Sequence, residues 1–471
     1  MTPNGGRGDE QKADASTSTP PAPPHTLAEL AGAIARDGVE FLLVMFVNLH
    51  GKACAKLAPV STVEQLVTEG LGFAGHAADG LGQSPADPDV VAVPDVSSYQ
   101  LIPLQDGLGV VQCDLYVEGR RWPYAPRWIL RDQLAALAER GWELRVGAEP
   151  EYFLVRRNAD GVVAVADDLD TATSPCYDAN AATRAFDHLS TLSRAMNELG
   201  WGNYSNDHED ANGQFEHNFG YTDALRTADR VVVFRQLARM AAQRSGLLAT
   251  FMPKPFAHLT GSGLHLHMSM WEGNSPLFAD PADERGLGLS AMGYGFVGGL
   301  LRHAPGLLAM TCPTVNSYKR IGAGSATASG SSWAPGYASY GGNNRTHLVR
   351  VPAAGRVEVR CVDAAANPYL AIAGIAAAGL DGVDRGEDPG PPVVGNLEAG
   401  AGRTGLSPLP PTLSHAVDEL VRDDVLRAGF GKVPGSAHPD YVDYYAAVKR
   451  AEFDEYHRQV SAWELERYLL A

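Results

Sequence analysis

Glu149-Pro150-Glu151, His265-Leu266-His267 and Arg356-Val357-Glu358-Val359-Arg360 each place ionisable groups two residues apart. On a β-strand, residues i and i+2 project from the same face. Each string therefore reads as a strand presenting carboxylate, imidazole or guanidinium groups side by side. A single E-x-E or H-x-H is a weak signal, because exposed strands carry charge on one face routinely. Here the surroundings are apolar: Val146 and Tyr152-Phe153-Leu154 flank the first string, and Val357 and Val359 interleave the third. Buried carboxylates and guanidinium groups need partners or metals. Together the strings describe a site that holds cations and handles anions.

The elements that must position these strings belong to a chain of 471 residues, long enough for one large domain or two to three ordinary ones. Its 45% hydrophobic and 20% charged content is that of a soluble globular protein. A net charge of −17 argues against nucleic acid or an anionic membrane as the main partner. No apolar run approaches the roughly 20 residues of a membrane span. Cys54, Cys113, Cys176, Cys312 and Cys361 show neither a disulfide framework nor a zinc spacing. They read as reduced thiols of a cytoplasmic protein.

Residues 1–25 are rich in Pro, Ser, Thr, Gly and Asp, without the layout of a signal peptide, and read as a disordered tail. A small mixed unit follows over 26–120. It opens with a helix at Leu27, then a buried strand over 41–47 and a turn at Leu49-His50-Gly51. The second unit, 121–471, carries the motif strands. Helices are expected over 128–140, 181–199, 223–245 and 367–381. Residues 382–411 read as a Pro/Gly-rich connector, and 412–471 as helical, most strongly over 452–470. No internal repeat is present. Between Arg320 and Arg345 lie six glycines and five serines. Long loops of this kind are uncommon unless they cover or bind something, so 321–344 reads as an active-site lid.

Further strings complete the pattern: Asp207-His208-Glu209 running to Glu216, Gly261-Ser262-Gly263-Leu264-His265, Asn316-Ser317-Tyr318-Lys319-Arg320, Asn344-Arg345, and Asn367-Pro368-Tyr369-Leu370. In this order they resemble the glutamine synthetase family across nearly the whole ordered chain. Ser174-Pro175-Cys176-Tyr177-Asp178 and Ser332-Trp333-Ala334-Pro335 resemble its branch of type III synthetases and glutamate–methylamine ligases. The resemblance implies an α+β fold. A small N-terminal β-grasp-like domain (26–120) would precede a larger catalytic domain (121–471) with a curved antiparallel sheet flanked by helices.

The five glutamates and His265 form an oxygen-rich set that suits Mg²⁺ or Mn²⁺ better than zinc or copper. By motif position, the resemblance assigns Glu151, Glu209 and Glu216 to one cation, and Glu149, His265 and Glu358 to a second. It places Arg320 and Arg360, with Gly261 and His265, at the amino-acid substrate and the transferred phosphoryl group. It assigns His267, Ser269, Arg345, Arg350 and Arg356 to ATP, and counts Arg320, Arg345, Arg360 and Asn48 as catalytic. Guanidinium forks grip carboxylate and phosphate bidentately. The implied reaction is an ATP-dependent ligation. The side-chain carboxylate of glutamate, or a close analogue, becomes an acyl phosphate, and an amine then displaces phosphate. The family further implies a homo-oligomer, a double hexamer, with sites shared between subunits.

Two departures concern the amine. Asn48 stands where the family carries an aspartate that binds and deprotonates ammonium, and Ala326 stands where ammonia-using members carry a lid glutamate. An amide supplies neither charge nor a base near neutral pH. Leu259-Thr260 also replaces the usual Asp-Asn before Gly261. A full charge ~4 Å from ammonium contributes roughly 4 kcal/mol at an effective dielectric of ~20. A small alkylamine such as methylamine is therefore expected to be favoured over ammonia. Glutamine formation from ammonia is the alternative, and a non-catalytic relative is a second alternative, from another class. His50 fits either a base for the amine or a plain turn histidine.

Overall fold

The structure, a computed structural model, describes residues 22–321, 327–434 and 438–471. Most of the expected tail (1–21) and the lid position Ala326 lie outside them. The helix Leu27–Arg36 starts from a capping box in which Thr26 and Glu29 satisfy each other's backbone N–H groups. A seven-stranded sheet follows. Its strand Phe41–Val47 runs antiparallel to Ala53–Pro59 and parallel to Leu108–Val117. A network around buried Arg127 ties this sheet to the rest. Its guanidinium donates to Asp95 and Asp114 on the N-terminal side and to Asp229 on the helix Ala224–Arg244.

The second sheet is eleven-stranded and curled. Its centre is the 15-residue strand Glu143–Arg157. Leu264–Glu272 pairs antiparallel along it, and Arg356–Val359 pairs antiparallel with Leu264–Glu272. On the other side Gln214–Asn218 pairs with its upper half, and Ser205–His208 with that strand in turn. All three motif strings thus lie on adjacent strands of one sheet. Pro150 sits in the middle of the central strand, where a missing N–H would ordinarily break the ladder. The N–H of the next residue, Glu151, bonds Gly263 O on the Leu264–Glu272 side (3.1 Å). The Pro150 nitrogen therefore faces the opposite edge. There the pairing skips from Glu216↔Glu151 to Thr222↔Val146, and no hydrogen bond is lost.

The strand's other face (Leu144, Val146, Ala148, Tyr152, Leu154) is buried in the main core. Helices Pro126–Ala138, Ala224–Arg244 and Pro368–Arg385 contribute to the same core. The expected helix over 181–199 is two helices, Ala179–Arg184 and Phe186–Glu198. The expected run over 452–470 is also broken. Tyr441–His457 ends, and Ala462–Tyr468 restarts from a Ser461/Glu464 capping box. The helix Ala291–Thr311 was not expected, because it contains five glycines and a proline that argue locally against helix. Packing overrides propensity: a Cβ at Gly299 would lie 2.1 Å from Ala378 O, so glycine lets this helix approach Pro368–Arg385 at backbone distance.

Candidate active site

Sheet register brings the ionisable groups together. Glu149 lies directly across from His265, Glu151 from Glu216, and His267 from Glu358. His265 Nδ1 is 3.5 Å from Glu149 Oε2 and 3.8 Å from Glu358 Oε1, and its Nε2 is 3.7 Å from Glu151 Oε1. His267 Nε2 is 2.7 Å from Glu149 Oε1. Glu358 is fully buried and bridges two arginines, with Oε2 2.6 Å from Arg350 Nη1 and Oε1 2.5 Å from Arg360 Nη1.

A cavity of about 570 Å³ is lined by Glu149, Glu151, Glu209, Glu216, Gly261, His265, Glu358 and the arginines Arg320, Arg345, Arg350 and Arg360. A second cavity of about 360 Å³ contains His267, Ser269 and Arg356, with Tyr221 and Trp271 among its walls. Glu149 and Tyr204 border both. An acidic chamber thus adjoins a more apolar one, with a carboxylate at their junction. A larger cavity, about 1010 Å³, lies between the N-terminal sheet and the C-terminal helices, and none of the motif residues borders it.

The electrostatics are polarised. Burial, reinforced by Glu209, Glu149 and Glu151, pushes the Glu216 carboxyl well above the carboxylate range. Burial and Glu151 push Glu209 up to about 8. Burial also opposes ionisation of Glu149 and Glu358, but their partners outweigh it. Hydrogen bonds from His265 and His267 hold Glu149 far below the ordinary range, and Arg360 foremost holds Glu358 at about 2. Two carboxyls are thus compensated by the protein and two are not. Cations fit that deficit. Two groups have ligand atoms within 4.8 Å of one another: Glu149, Glu216 and His265, and Glu149, His267 and Glu358. This grouping differs from the expected one. Glu149 is common to both, and His267, expected on the nucleotide side only, stands within the second.

Two glycines stand close to the functional groups. Gly261 borders the cavity, and a Cβ there would also meet Pro253 O at 2.4 Å and the Arg320 side chain, so packing requires glycine here as well. At Gly263 a Cβ would lie 2.8 Å from Arg320 Nη2, 2.9 Å from His265 Nε2 and 3.0 Å from Glu151 Oε1, in the middle of the functional groups. Its N–H also donates to Glu151 Oε2 (2.8 Å).

Asn48 is not brought to this cavity within the chain. It lies at the end of the strand Phe41–Val47, 1% exposed, and its side chain is committed to the turn. Its Oδ1 accepts from His50 N (3.1 Å) and Lys52 N (3.0 Å), and its Nδ2 donates to Ala78 O (2.9 Å). That is an Asx-type turn, and it leaves the expected part of Asn48 to a site shared with a neighbouring subunit. His50 faces Asp79 (3.3 Å) and Lys449 (3.5 Å), and burial followed by Lys449 pushes its imidazole down. Sequence reasoning missed Asp207, Asp210, Tyr177, Tyr204 and Trp333, which also border the acidic cavity. Asp207 lies two residues before Glu209 and Asp210 directly after it, which is the local signal for these two.

Residues 123–468 match the model of the glutamine synthetase catalytic domain. The chain belongs to the glutamine synthetase family. It is 43% identical over 436 residues to the glutamate–methylamine ligase of Methyloversatilis universalis, covering 92% of this chain and 96% of that one. It is 42% identical over 434 residues to a glutamine synthetase of Rhizobium leguminosarum bv. phaseoli, covering 92% and 97%. The fold superposes on a solved GmaS/ADP complex with a TM-score of 0.87 at 45% identity, covering 94% of this chain and 99% of the other. Like other members of the glutamine synthetase family, the chain is a carbon–nitrogen ligase, which removes the non-catalytic alternative. All five cysteines are free. Among the described residues no helix is long and apolar enough to cross a membrane.

Proposed function

We propose that the protein is a cytoplasmic, ATP-dependent ligase that joins a small alkylamine, methylamine foremost, to the side-chain carboxylate of glutamate through an acyl phosphate. The observation that carries the reading is the register of four strands, which sets Glu149 against His265, Glu151 against Glu216 and His267 against Glu358 around the two adjoining chambers. The donor set of carboxylates and imidazoles fits hard divalent cations, Mg²⁺ or Mn²⁺. Glu149, Glu216 and His265 would hold one, and Glu149, His267 and Glu358 a second, with Glu151 and Glu209 alongside. Such cations neutralise phosphate and carboxylate oxygens in phosphoryl transfer.

The chain's own groups supply the rest. Arg320 and Arg360 face the acid and the transferred phosphoryl group. Arg345 and Arg350 border the same chamber, and Arg356, with Ser269, lies on the nucleotide side in the more apolar cavity. The nucleotide base suits that cavity's aromatic walls.

For the amine, overall identity is nearly equal to a methylamine ligase and to a glutamine synthetase, so local chemistry carries the choice. Asn48 and Ala326 remove two anionic groups. Asp210, a candidate replacement, already accepts hydrogen bonds from Thr260 Oγ1 (2.8 Å) and Ser329 Oγ. Tyr177 and Trp333, 69% and 38% exposed, border the acidic chamber with aromatic surface. Such surface suits a methyl-bearing ammonium better than bare NH₄⁺. In the assembled homo-oligomer, the turn carrying Asn48 would complete a neighbouring subunit's site. ADP release measured with glutamate and a panel of amines tests the reading. Turnover with methylamine is expected, and silence with every amine would remove it.

A further inference from the structure

The Pro/Gly-rich segment that reads as a connector reaches the site through one carboxylate. Glu398 Oε1 accepts from Ser332 N (2.9 Å), Ser332 Oγ (2.5 Å) and Trp333 N (2.9 Å). Glu398 is itself fixed. Arg403 Nη2 donates to its carbonyl (2.7 Å), its own N–H bonds Asn396 Oδ1 (2.9 Å), and the preceding Leu397 is buried. Trp333 holds φ +51°, a left-handed conformation that bulky residues rarely adopt. A conformation of that kind persists only where its surroundings over-determine it, and three hydrogen bonds onto one carboxylate oxygen do so here.

The consequence runs to Arg360. Arg360 Nη2 donates to Trp333 O (3.2 Å), Nε donates to Arg345 O (3.2 Å), and Nη1 meets Glu358 Oε1 (2.5 Å). Each guanidinium nitrogen thus has one fixed protein partner. The Trp333 carbonyl owes its direction to the turn that Glu398 holds. The Arg345 carbonyl and the Glu358 carboxylate do not depend on Glu398, so its share in aiming Arg360 is separable.

We propose that Glu398 is a positioning residue for the ligation. It clamps Trp333 in its left-handed conformation so that the Trp333 carbonyl aims Arg360 into the acidic chamber. The proposal rests on the reading of Arg360 as a group that handles the substrate's anions. It gives the connector a part in the reaction through a residue that does not border either site cavity.

Steady-state kinetics on five variants, with glutamate, ATP and methylamine, test it. Glu398→Ala should lower kcat/KM for glutamate about tenfold or more, the scale of losing hydrogen bonds to a charged group. The KM for ATP should move much less, a split that general loosening would not produce. Glu398→Gln keeps an oxygen acceptor and should recover most of the loss. In a Trp333→Gly background, where glycine adopts positive φ unaided, adding Glu398→Ala should cost far less than it does alone. An equal cost in both backgrounds overturns the proposal, and that comparison stands even if Glu398→Ala alone folds poorly. Wild-type kinetics for Glu398→Ala, with Arg360→Ala inactive, overturn it and leave the parent reading intact. Near-normal turnover in Arg360→Ala overturns the parent reading instead.

Discussion

His267 Nε2 and Glu149 Oε1 lie 2.7 Å apart although the two residues are not opposite each other in the sheet. Gly147 is the residue across from His267, and His265 the one across from Glu149. The contact is a diagonal one, within reach of long side chains on adjacent antiparallel strands, and Gly147 leaves the space open for it. Glu149 therefore stands between two imidazoles and belongs to both candidate cation groups. Glu149→Gln should lose at least about a hundredfold in turnover, the upper end of what loss of a metal-associated group costs. It should also weaken Mn²⁺ binding at both sites when measured by calorimetry. An effect confined to one of two binding events would show that the carboxylate is not shared.

Gly263→Ala tests the space between the functional groups. The added methyl would sit within 3.0 Å of Arg320, His265 and Glu151. Contacts that close force side chains to shift, and overpacking costs about 1–3 kcal/mol. A sharp loss of activity is expected, with the secondary structure retained by circular dichroism. Full activity would mean that these groups move freely.

Asn48→Asp bears on stability as well as on amine choice. The Nδ2–Ala78 O hydrogen bond (2.9 Å) would become a contact between two oxygens. An unsatisfied buried group costs about 1–3 kcal/mol. Chemical denaturation at neutral pH should show a loss of that order, partly relieved at acid pH where the carboxyl can donate. An unchanged midpoint would show that the turn tolerates the charge.

His303 supplies a pH dependence remote from the site. Its Nδ1 meets Asp423 Oδ2 (2.6 Å) and its Nε2 meets Asp381 Oδ2 (3.0 Å), joining three helical segments. Burial pushes the imidazole down, but Asp423 and Asp381 together push it above its ordinary 6.5. A folded-state pKa that is raised stabilises fully below the unfolded value and loses that contribution as pH rises through the folded one. His303→Gln should therefore destabilise the protein more at pH 6 than at pH 9. Equal losses at both would contradict a charged imidazole.

Period-two alternation marked the motif strands correctly because side-chain direction on a strand follows from local geometry alone. Which strand pairs with which, and in what register, depends on contacts remote in sequence. The diagonal from His267 to Glu149 was accordingly not visible. The same holds for Gly263, whose importance lies in what surrounds it. The helix Ala291–Thr311 was hidden by its glycines and Pro305, which packing against Pro368–Arg385 makes acceptable. Asn48 was read for the charge it lacks, whereas its structural work, the bonds to His50, Lys52 and Ala78, appears only once the turn is folded.

The central claim is a choice of amine by a carbon–nitrogen ligase, and kcat/KM for methylamine against ammonia, with saturating ATP, Mg²⁺ and glutamate, tests it most directly. Two missing anionic groups penalise ammonium, and a buried methyl recovers ~0.8 kcal/mol, so methylamine should give the higher value, with the γ-glutamyl amide identified by mass spectrometry. A tenfold or greater preference for ammonia would contradict the account and make the protein a glutamine-forming enzyme.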